Sequence, residues 1–423
     1  MTSSRMRHSY IILVSLLSAA VAAGDTETEF GGHTKFALTS QAYPEQSLFR
    51  DLVGSNTLDL DGDLRLNFKA KANRWSFDAA YQLLALNGDS VELGRSVPAG
   101  TNIFFPGLPN DDRRLINLTD VIEDDGKTVV LHRLDRLSVG YTSERAVVRL
   151  GRQALSWGNG LFYAPMDLVN PFDPAAVDRE YKSGDDMLYL QYLRDNGHDV
   201  QGAYVARRNP FSGDVESGQA TTALKYHGFL GEAEYDLLLA KNYGDTVVGF
   251  GAGKSVGGAV WRGDLVVTRG DDDSTVQFVT NFTYSWNWFD KNMSGAIEYF
   301  YNGFGQRSGV YDPISLGNNF DLVSRVTRGE LFSIGRHYLA GSVMIEMTPL
   351  WGLTPTVLAN VADPSGLFQL VSNYSVSDNM TLLASINVPL GPKGTEFGGI
   401  SAGQPDRYLS GGAGLFAQIA WYF

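Results

Sequence analysis

The stretch TLDLDGDLRLNFKAK, residues 57–71, carries the deciding pattern of this chain. Leu58, Leu60, Gly62, Leu64, Leu66, Phe68 and Ala70 fall on one face; Asp59, Asp61, Asp63, Arg65, Asn67 and Lys69 fall on the other. Alternation with a period of two over this length marks a strand with one apolar and one polar face. A tight turn at Asn73 and Arg74 follows, and Trp75, Phe77, Ala79, Tyr81, Leu83 and Ala85 then repeat the apolar face. The same unit returns at 380–388, where Met380, Leu382, Ala384, Ile386 and Val388 oppose Thr381, Ser385 and Asn387. It returns again at 277–286 and at 232–239. Each run is a weak signal alone, and the recurrence is what predicts many half-apolar strands.

Both ends of the chain fit one architecture. The last residues put Phe423, Trp421, Ile419, Ala417 and Leu415 on one face of a strand that ends on an aromatic. This ending resembles the closing strand of bacterial outer-membrane β-barrels, which implies the barrel assembly machinery as a partner. At the other end, Arg5, Arg7 and His8 precede a short apolar core at 11–19 and the small residues Ala20, Val21, Ala22 and Ala23. That is the layout of a cleaved secretory signal peptide over 1–23, leaving 24–423 as a single barrel. No other run of about 18 apolar residues is present, so no membrane-spanning helix is predicted.

Turn residues divide the chain. Short connections are expected near Asn73, Glu144, Asn196, Gly231, Gly257, Asp290, 349–352 and 378–379, several of them with the Asn, Asp or Gly that a tight hairpin requires. Longer ones are expected at 44–54, 87–127, 154–184, 209–219, 305–335 and 391–409, with three brief ones near 244, 272 and 364. In outer-membrane barrels the short turns face the periplasm and the longer loops face outside. The expectation is an all-β, antiparallel transmembrane barrel of about eighteen strands, within a range of 16–18. Trp75, Tyr141, Trp286, Trp288, Trp351, Trp421 and Phe423 lie beside the short turns, where an aromatic girdle belongs.

Composition agrees and narrows the function. The 423 residues include 47 glycines and 12% aromatics, with a mean hydropathy of −0.13. Such an average suits a wall with one face in lipid and one in water. There is no cysteine, which excludes disulfides, thiolate zinc sites and iron–sulfur clusters. The formal charge of −13 becomes −15 once Arg5 and Arg7 leave with the leader, which argues against nucleic acid as a partner. Outer-membrane lipid and lipopolysaccharide are the expected surroundings, and the bacterial outer membrane is the expected location. His33, His132, His198, His227 and His337 stand alone, with no His-Glu-x-x-His and no Gly-x-Ser-x-Gly, so no enzyme, catalytic residue, metal or cofactor is expected. Asp59, Asp61 and Asp63 superficially suggest a calcium loop, but strand alternation contradicts the turn such a loop needs.

The most distinctive segment spans 149–182: RLGRQALSWGNG, then PMDLVNPFDP, then DREYK. Its Gly-Arg-Gln, Ser-Trp-Gly and Asn-Pro-Phe-Asp pattern resembles porin-like outer-membrane barrels, among them the alginate-export type and related barrels of unknown function. The resemblance implies a channel for passive diffusion of small hydrophilic or amphipathic solutes. The loop at 154–184 is the third long-side loop, which in general porins folds inward and narrows the pore. Arg149, Arg152, Gln153, Trp157, Asp167, Asp173, Asp178, Arg179, Glu180 and Lys182 are the constriction candidates, because opposed charges in a narrow channel create a transverse field. Phe162, Tyr163, Phe172 and Tyr181 add stacking surfaces. Asp59, Asp61, Asp63, Arg65, Lys69 and Arg136 are the lumen-wall candidates.

Two strands break phase. Keeping Ala146, Val148 and Leu150 toward lipid sends Arg152 outward too, so Arg152 lies above the bilayer or a bulge turns it inward. Leu131, Leu134 and Leu137 do not alternate, and a bulge there would aim His132, Arg133 or Arg136 into the lumen. The alternatives to a channel are a barrel that binds or assembles with a partner without free flux, using long loops such as 87–127 with its apolar tip at 104–109, or an outer-membrane hydrolase.

Overall fold

The computed structural model describes residues 26–96, 108–271, 273–307, 309 and 311–423. The predicted leader and residues 104–107 of the apolar tip lie outside these. Eighteen strands form the wall. They are β1 (Thr26–Ala42), β2 (Asn56–Ala72), β3 (Trp75–Gly88), β4 (Thr128–Thr142), β5 (Ala146–Gln153) and β6 (Asp185–Leu193). Next come β7 (Asp199–Val205), β8 (Thr221–Leu230), β9 (Ala233–Asn242), β10 (Asp245–Val256), β11 (Ala259–Arg269) and β12 (Ser274–Trp288). The last are β13 (Lys291–Asn302), β14 (His337–Thr348), β15 (Trp351–Asn360), β16 (Ser365–Ser377), β17 (Met380–Leu390) and β18 (Gly414–Tyr422).

Each strand runs antiparallel to its neighbour in the chain, and β18 closes the cylinder against β1 from His33↔Tyr422 to Gln41↔Gly414. Gly32 and Phe423 extend the seam by exchanging backbone hydrogen bonds of 2.9 and 3.2 Å. Closure leaves no sheet edge facing hydrocarbon, where an unpaired N–H or C=O would cost several kcal/mol. The eight tight turns fall at the positions the turn residues mark, and the long connections gather at the opposite end.

The faces sort as the alternation requires. Phe36, Leu58 and Leu60 are 63%, 52% and 52% exposed on the outer surface, whereas Asp59 and Arg65 are 7% and 2% exposed within. Rings pair at the turn end: Trp75 with Tyr141 at 5.1 Å, Trp288 with Phe289 at 4.7 Å, and Trp421 with Phe423 at 5.2 Å.

Strand β4 carries a bulge at Asp135, because Arg136 pairs with Ala80 while Leu134 pairs with Tyr81. The extra residue lets Arg133, Asp135 and Arg136 all reach the interior. His132 does not follow them: it pairs with Leu83, whose other partner is Leu64 of the apolar face. Strand β5 has only eight residues and pairs the turn half of β4. The loop half of β4 is paired instead by a short strand of the second loop, Thr119–Asp125.

The seam yields a prediction. A Cβ on Gly32 would sit 2.0 Å from the Arg65 carbonyl oxygen. Gly32→Val should therefore cost about 1–3 kcal/mol or more. The expected result is a lower unfolding temperature in detergent and less of the compact species on unheated SDS gels. Unchanged melting would show that the seam tolerates the extra bulk.

Candidate functional site

The third loop, residues 154–184, runs inside the barrel and is tied to strands far apart on the wall. Trp157 donates its indole N–H to Gln201 of β7 at 2.7 Å. Asp264 of β11 accepts the backbone N–H and the side-chain amide of Asn159, both at 2.7 Å. Glu298 of β13 accepts three consecutive backbone N–H groups, from Leu161, Phe162 and Tyr163, at 2.6, 3.0 and 2.8 Å. Asn281 of β12 donates to both Glu298 and the Asn159 carbonyl. Across the lumen, Gln369 of β16 donates to the Ala175 carbonyl at 2.9 Å. Lys35 of β1 meets Asp178 and Glu180 at 2.6 and 2.7 Å, with Gln418 and Tyr422 of β18 adding bonds to the same two acids.

On one side of the loop the interior is dry. Leu155, Trp157, Met166 and Val169 pack against Met187, Tyr189, Val205, Leu238, Val247 and Val266 on the inner wall from β6 to β11. Tyr163 continues the core against Val279, Phe300, Tyr338 and Leu358, stacked on Phe300 at 4.7 Å. The polar inner face expected of most strands is therefore interrupted here, because the wall residues that touch the loop are themselves apolar.

Several constriction candidates brace the loop rather than face water. Arg152 is 1% exposed and bonds Asp111 of the second loop and Asp186 of β6 at 3.0 Å. Gly151 permits this orientation with φ 121°, and a Cβ there would meet the Leu137 carbonyl oxygen at 2.2 Å. Arg152 thus locks the second loop to the wall. Gln153 donates to the backbone oxygens of Arg149 and Met187. Asp167 and Lys182 pair within the loop at 2.6 Å. Burial pushes the Asp167 carboxyl up and the Lys182 ammonium down. Arg179 donates to the carbonyls of Leu161, Pro174 and Ala176. Asp173 accepts the Ala175 N–H but stays exposed and lines the loop-end cavity. Asp59 holds Ser90 at the start of a short second-loop helix. Asp61 has the neutral cross-strand partners Ala37 and Leu86 and forms no ion pair among the described residues.

The remaining candidates line two cavities on the β1–β5 side. The turn-end cavity, about 370 Å³, is lined by Lys69, Asp78, Arg136, Arg149 and Gln153 among others. The loop-end cavity, about 520 Å³, is lined by Asp63, Arg65, Arg133, Asp135 and Asp178, with Tyr181 and Phe172. Arg136 stands between them: it lines the first and bonds Asp135 and the Lys182 carbonyl, whose residues line the second. Asp135 is shared by three guanidiniums, with Arg136 at 2.5 Å, Arg65 at 2.9 Å and Arg133 at 3.7 Å. The Arg65 guanidinium also lies 4.1 Å from the Tyr181 ring centre. Arg149 lies over the Tyr189 ring at 4.8 Å, and its Nε is buried without a partner.

Sequence reasoning missed Lys35, Asp135, Asp264 and Glu298. Glu298 carried a usable signal, since it is the lone charge in the inward register of β13. Asp135 sat in the phase break already marked as a bulge.

The loop end is capped. Phe304, Tyr311, Leu316, Leu322, Leu331 and Ile334 of the seventh loop, 303–336, form a cluster with Ile400 of the ninth, 391–413. Beneath it, Glu396 of the ninth loop accepts the Ile334 N–H at 2.9 Å, the Tyr338 hydroxyl at 2.6 Å and the Asn360 amide at 2.7 Å. Its own N–H donates to Asp363 of the eighth loop at 2.8 Å. Burial pushes the Glu396 carboxyl up to about 7.

The architecture is similar to that of solved outer-membrane barrels. Wzi of Escherichia coli, described as a carbohydrate-binding β-barrel involved in group 1 capsule assembly, superposes with a TM-score of 0.51 and 11% identity, covering 97% of this chain and 86% of its own. OccAB4 and OccAB2 of Acinetobacter baumannii each give a TM-score of 0.52, at 8% and 10% identity, covering 94% of this chain and 98% of theirs. At such identities the likeness is one of fold. No family model matches the sequence, and no curated protein matches it significantly.

Two predictions follow from the loop contacts. Glu298→Ala strips three backbone N–H groups, one buried and two part-buried, of their acceptor, at about 1–3 kcal/mol each if water does not replace it. The third loop should then become cleavable by trypsin at Arg179 in detergent, while the folded wild type resists; equal resistance would show that Glu298 does not hold it. The second concerns pH. A carboxyl raised in the docked state stabilises docking fully below its ordinary value near 4.5, and this is lost as pH rises through about 7. Amides of the ninth loop should exchange about tenfold or more faster, relative to the intrinsic rate, at pH 8 than at pH 5. Glu396→Gln should flatten that dependence.

Proposed function

We propose that the protein is an outer-membrane channel for passive diffusion of small hydrophilic or amphipathic solutes, narrowed by its third loop. The observation that carries this reading is the pair of polar cavities that approach Arg136 from opposite ends of the barrel. Eighteen strands leave a lumen wide enough for water unless loops fill it. Here the loop fills the β6–β15 side and leaves the charged β1–β5 side to the solute. Along that side, Arg133, Arg65, Arg136, Arg149 and Lys69 run from one cavity to the other, with Asp135, Asp63 and Asp78 interspersed. Charges of both signs in a confined space select solutes by their field. The terminal aromatic strand fits delivery by the barrel assembly machinery, and the outer apolar band fits residence among outer-membrane lipid and lipopolysaccharide.

A second reading is a barrel that binds a partner or ligand without free flux. The ties of the third loop to eight strands of the wall favour it, because a loop held so widely acts as a plug if the Arg136 partition does not open.

Planar-bilayer recording separates the two. The channel reading expects discrete conductance steps from the wild type, and larger steps with altered ion preference from Arg136→Ala. Silent bilayers from both proteins, with liposomes that fail to swell in any small solute, would leave the binding barrel.

A further inference from the structure

A polar row crosses the outer face at the loop end of β8 to β12. Lys241 of β9 and Arg269 of β11 stand directly opposite Thr246 of β10, one on each side, and Thr222 of β8 and Ser274 of β12 extend the row. Lys241 and Arg269 are exposed. Alternation puts bare apolar side chains below them on the same face: Leu239 and Leu237 on β9, Val248 and Phe250 on β10, Val267 and Leu265 on β11, all between 36% and 56% exposed.

The height of the row follows from strand length. Arg269 closes an eleven-residue strand that begins at the tight turn beside Gly258. A tilted strand of about 9–11 residues spans the hydrocarbon, so the row stands where acyl chains give way to headgroups. Long basic side chains suit that level, with their stems against the apolar band and their charges in the polar interface. Neighbouring strands lie about 4.8 Å apart, so Lys241 and Arg269 are rooted about 10 Å from each other, with a hydroxyl midway, and two long side chains close that span around one tetrahedral anion.

Neither cation forms an ion pair or a side-chain hydrogen bond among the described residues. Of the nearby acids, Asp245 turns inward to Arg325. Asp271 and Asp273 stand exposed on the turn beyond Arg269, farther from the hydrocarbon, and form no ion pair with it.

We propose that this row is a docking site for a phosphate-bearing lipid of the outer leaflet. The phosphate sits between Lys241 and Arg269 and accepts from the Thr246 hydroxyl. The acyl chains lie along Leu239, Val248 and Val267. Two free cations answer the phosphate and the bare side chains beneath answer the hydrocarbon, so an anion tied to an acyl chain satisfies both at once. The site rests on placement of the barrel in the outer membrane and is independent of whether its lumen conducts.

Native mass spectrometry of the detergent-solubilised barrel counts bound lipid directly. The probes are dioleoylphosphatidic acid, dioleoylglycerol, which keeps the chains and lacks the phosphate, and inorganic phosphate. Phosphatidic acid should bind about tenfold or more tighter than dioleoylglycerol, and inorganic phosphate at the same concentration should not displace it. Lys241→Gln and Arg269→Gln should each weaken phosphatidic acid about fivefold, and together remove most of its advantage. Lys254→Gln, which removes an outward cation at the turn end of β10, should leave binding unchanged. All these side chains are exposed, so the variants should keep the wild-type unfolding temperature. An equal loss from Lys254→Gln would reveal general attraction to a charged surface. Undiminished binding in the double variant would put the lipid elsewhere, and displacement by inorganic phosphate would make this a site for a free anion. Each of these results overturns the proposal.

Discussion

The structure depends on one constraint: a backbone that crosses hydrocarbon must satisfy every N–H and C=O from within the chain. Eighteen strands meet it only because the last pairs with the first, over the nine residue pairs from His33↔Tyr422 to Gln41↔Gly414. Once the cylinder is closed, alternation decides what each side chain meets. The even-numbered leucines of β2 meet lipid and its odd-numbered acids and bases meet the interior. The short turns follow from the same constraint, since each strand must reverse at once to stay paired with its predecessor.

A closed wall leaves a wide interior, and the third loop divides it. Its apolar side chains find matching apolar residues on β6 to β11, so that side packs like the core of a soluble domain. Backbone N–H groups carried into this dry region need acceptors, and single carboxylates on the wall supply them. Glu298 serves three such groups and Asp264 serves Asn159 twice. On the opposite side the loop presents acids to Lys35 and leaves charged cavities open. The division of the lumen into a packed half and a wet half is thus set by which wall residues are apolar.

Much of this was legible in the chain. Turn chemistry at Asn73, Gly231, Gly257 and Asp290 marked the hairpins because tight reversals need residues that tolerate their backbone angles. The lost alternation at Leu131, Leu134 and Leu137 pointed to a bulge because an extra residue is the simplest way to restore phase. The roles of the loop charges were not legible. Asp167, Arg179 and Lys182 looked like an opposed pair of charged surfaces, yet each is satisfied within the loop itself. Arg152 showed a break in phase, but nothing near it in the chain told that its partners would be Asp111 of the second loop and Asp186 of β6. His132 was one of three candidates for the interior and stayed on the outer face.

The sequence by itself determined the strands, their two faces, the hairpins and the direction in which the long loops lie, because these depend on period-two patterning and local turn geometry. Tertiary structure alone decided which charges pair, which half of the lumen is dry and where Arg136 stands. Those outcomes join residues far apart in the chain, such as Glu180 with Tyr422 and Asp51 with Arg407. No local pattern encodes which side chains a closed cylinder will bring face to face across its interior.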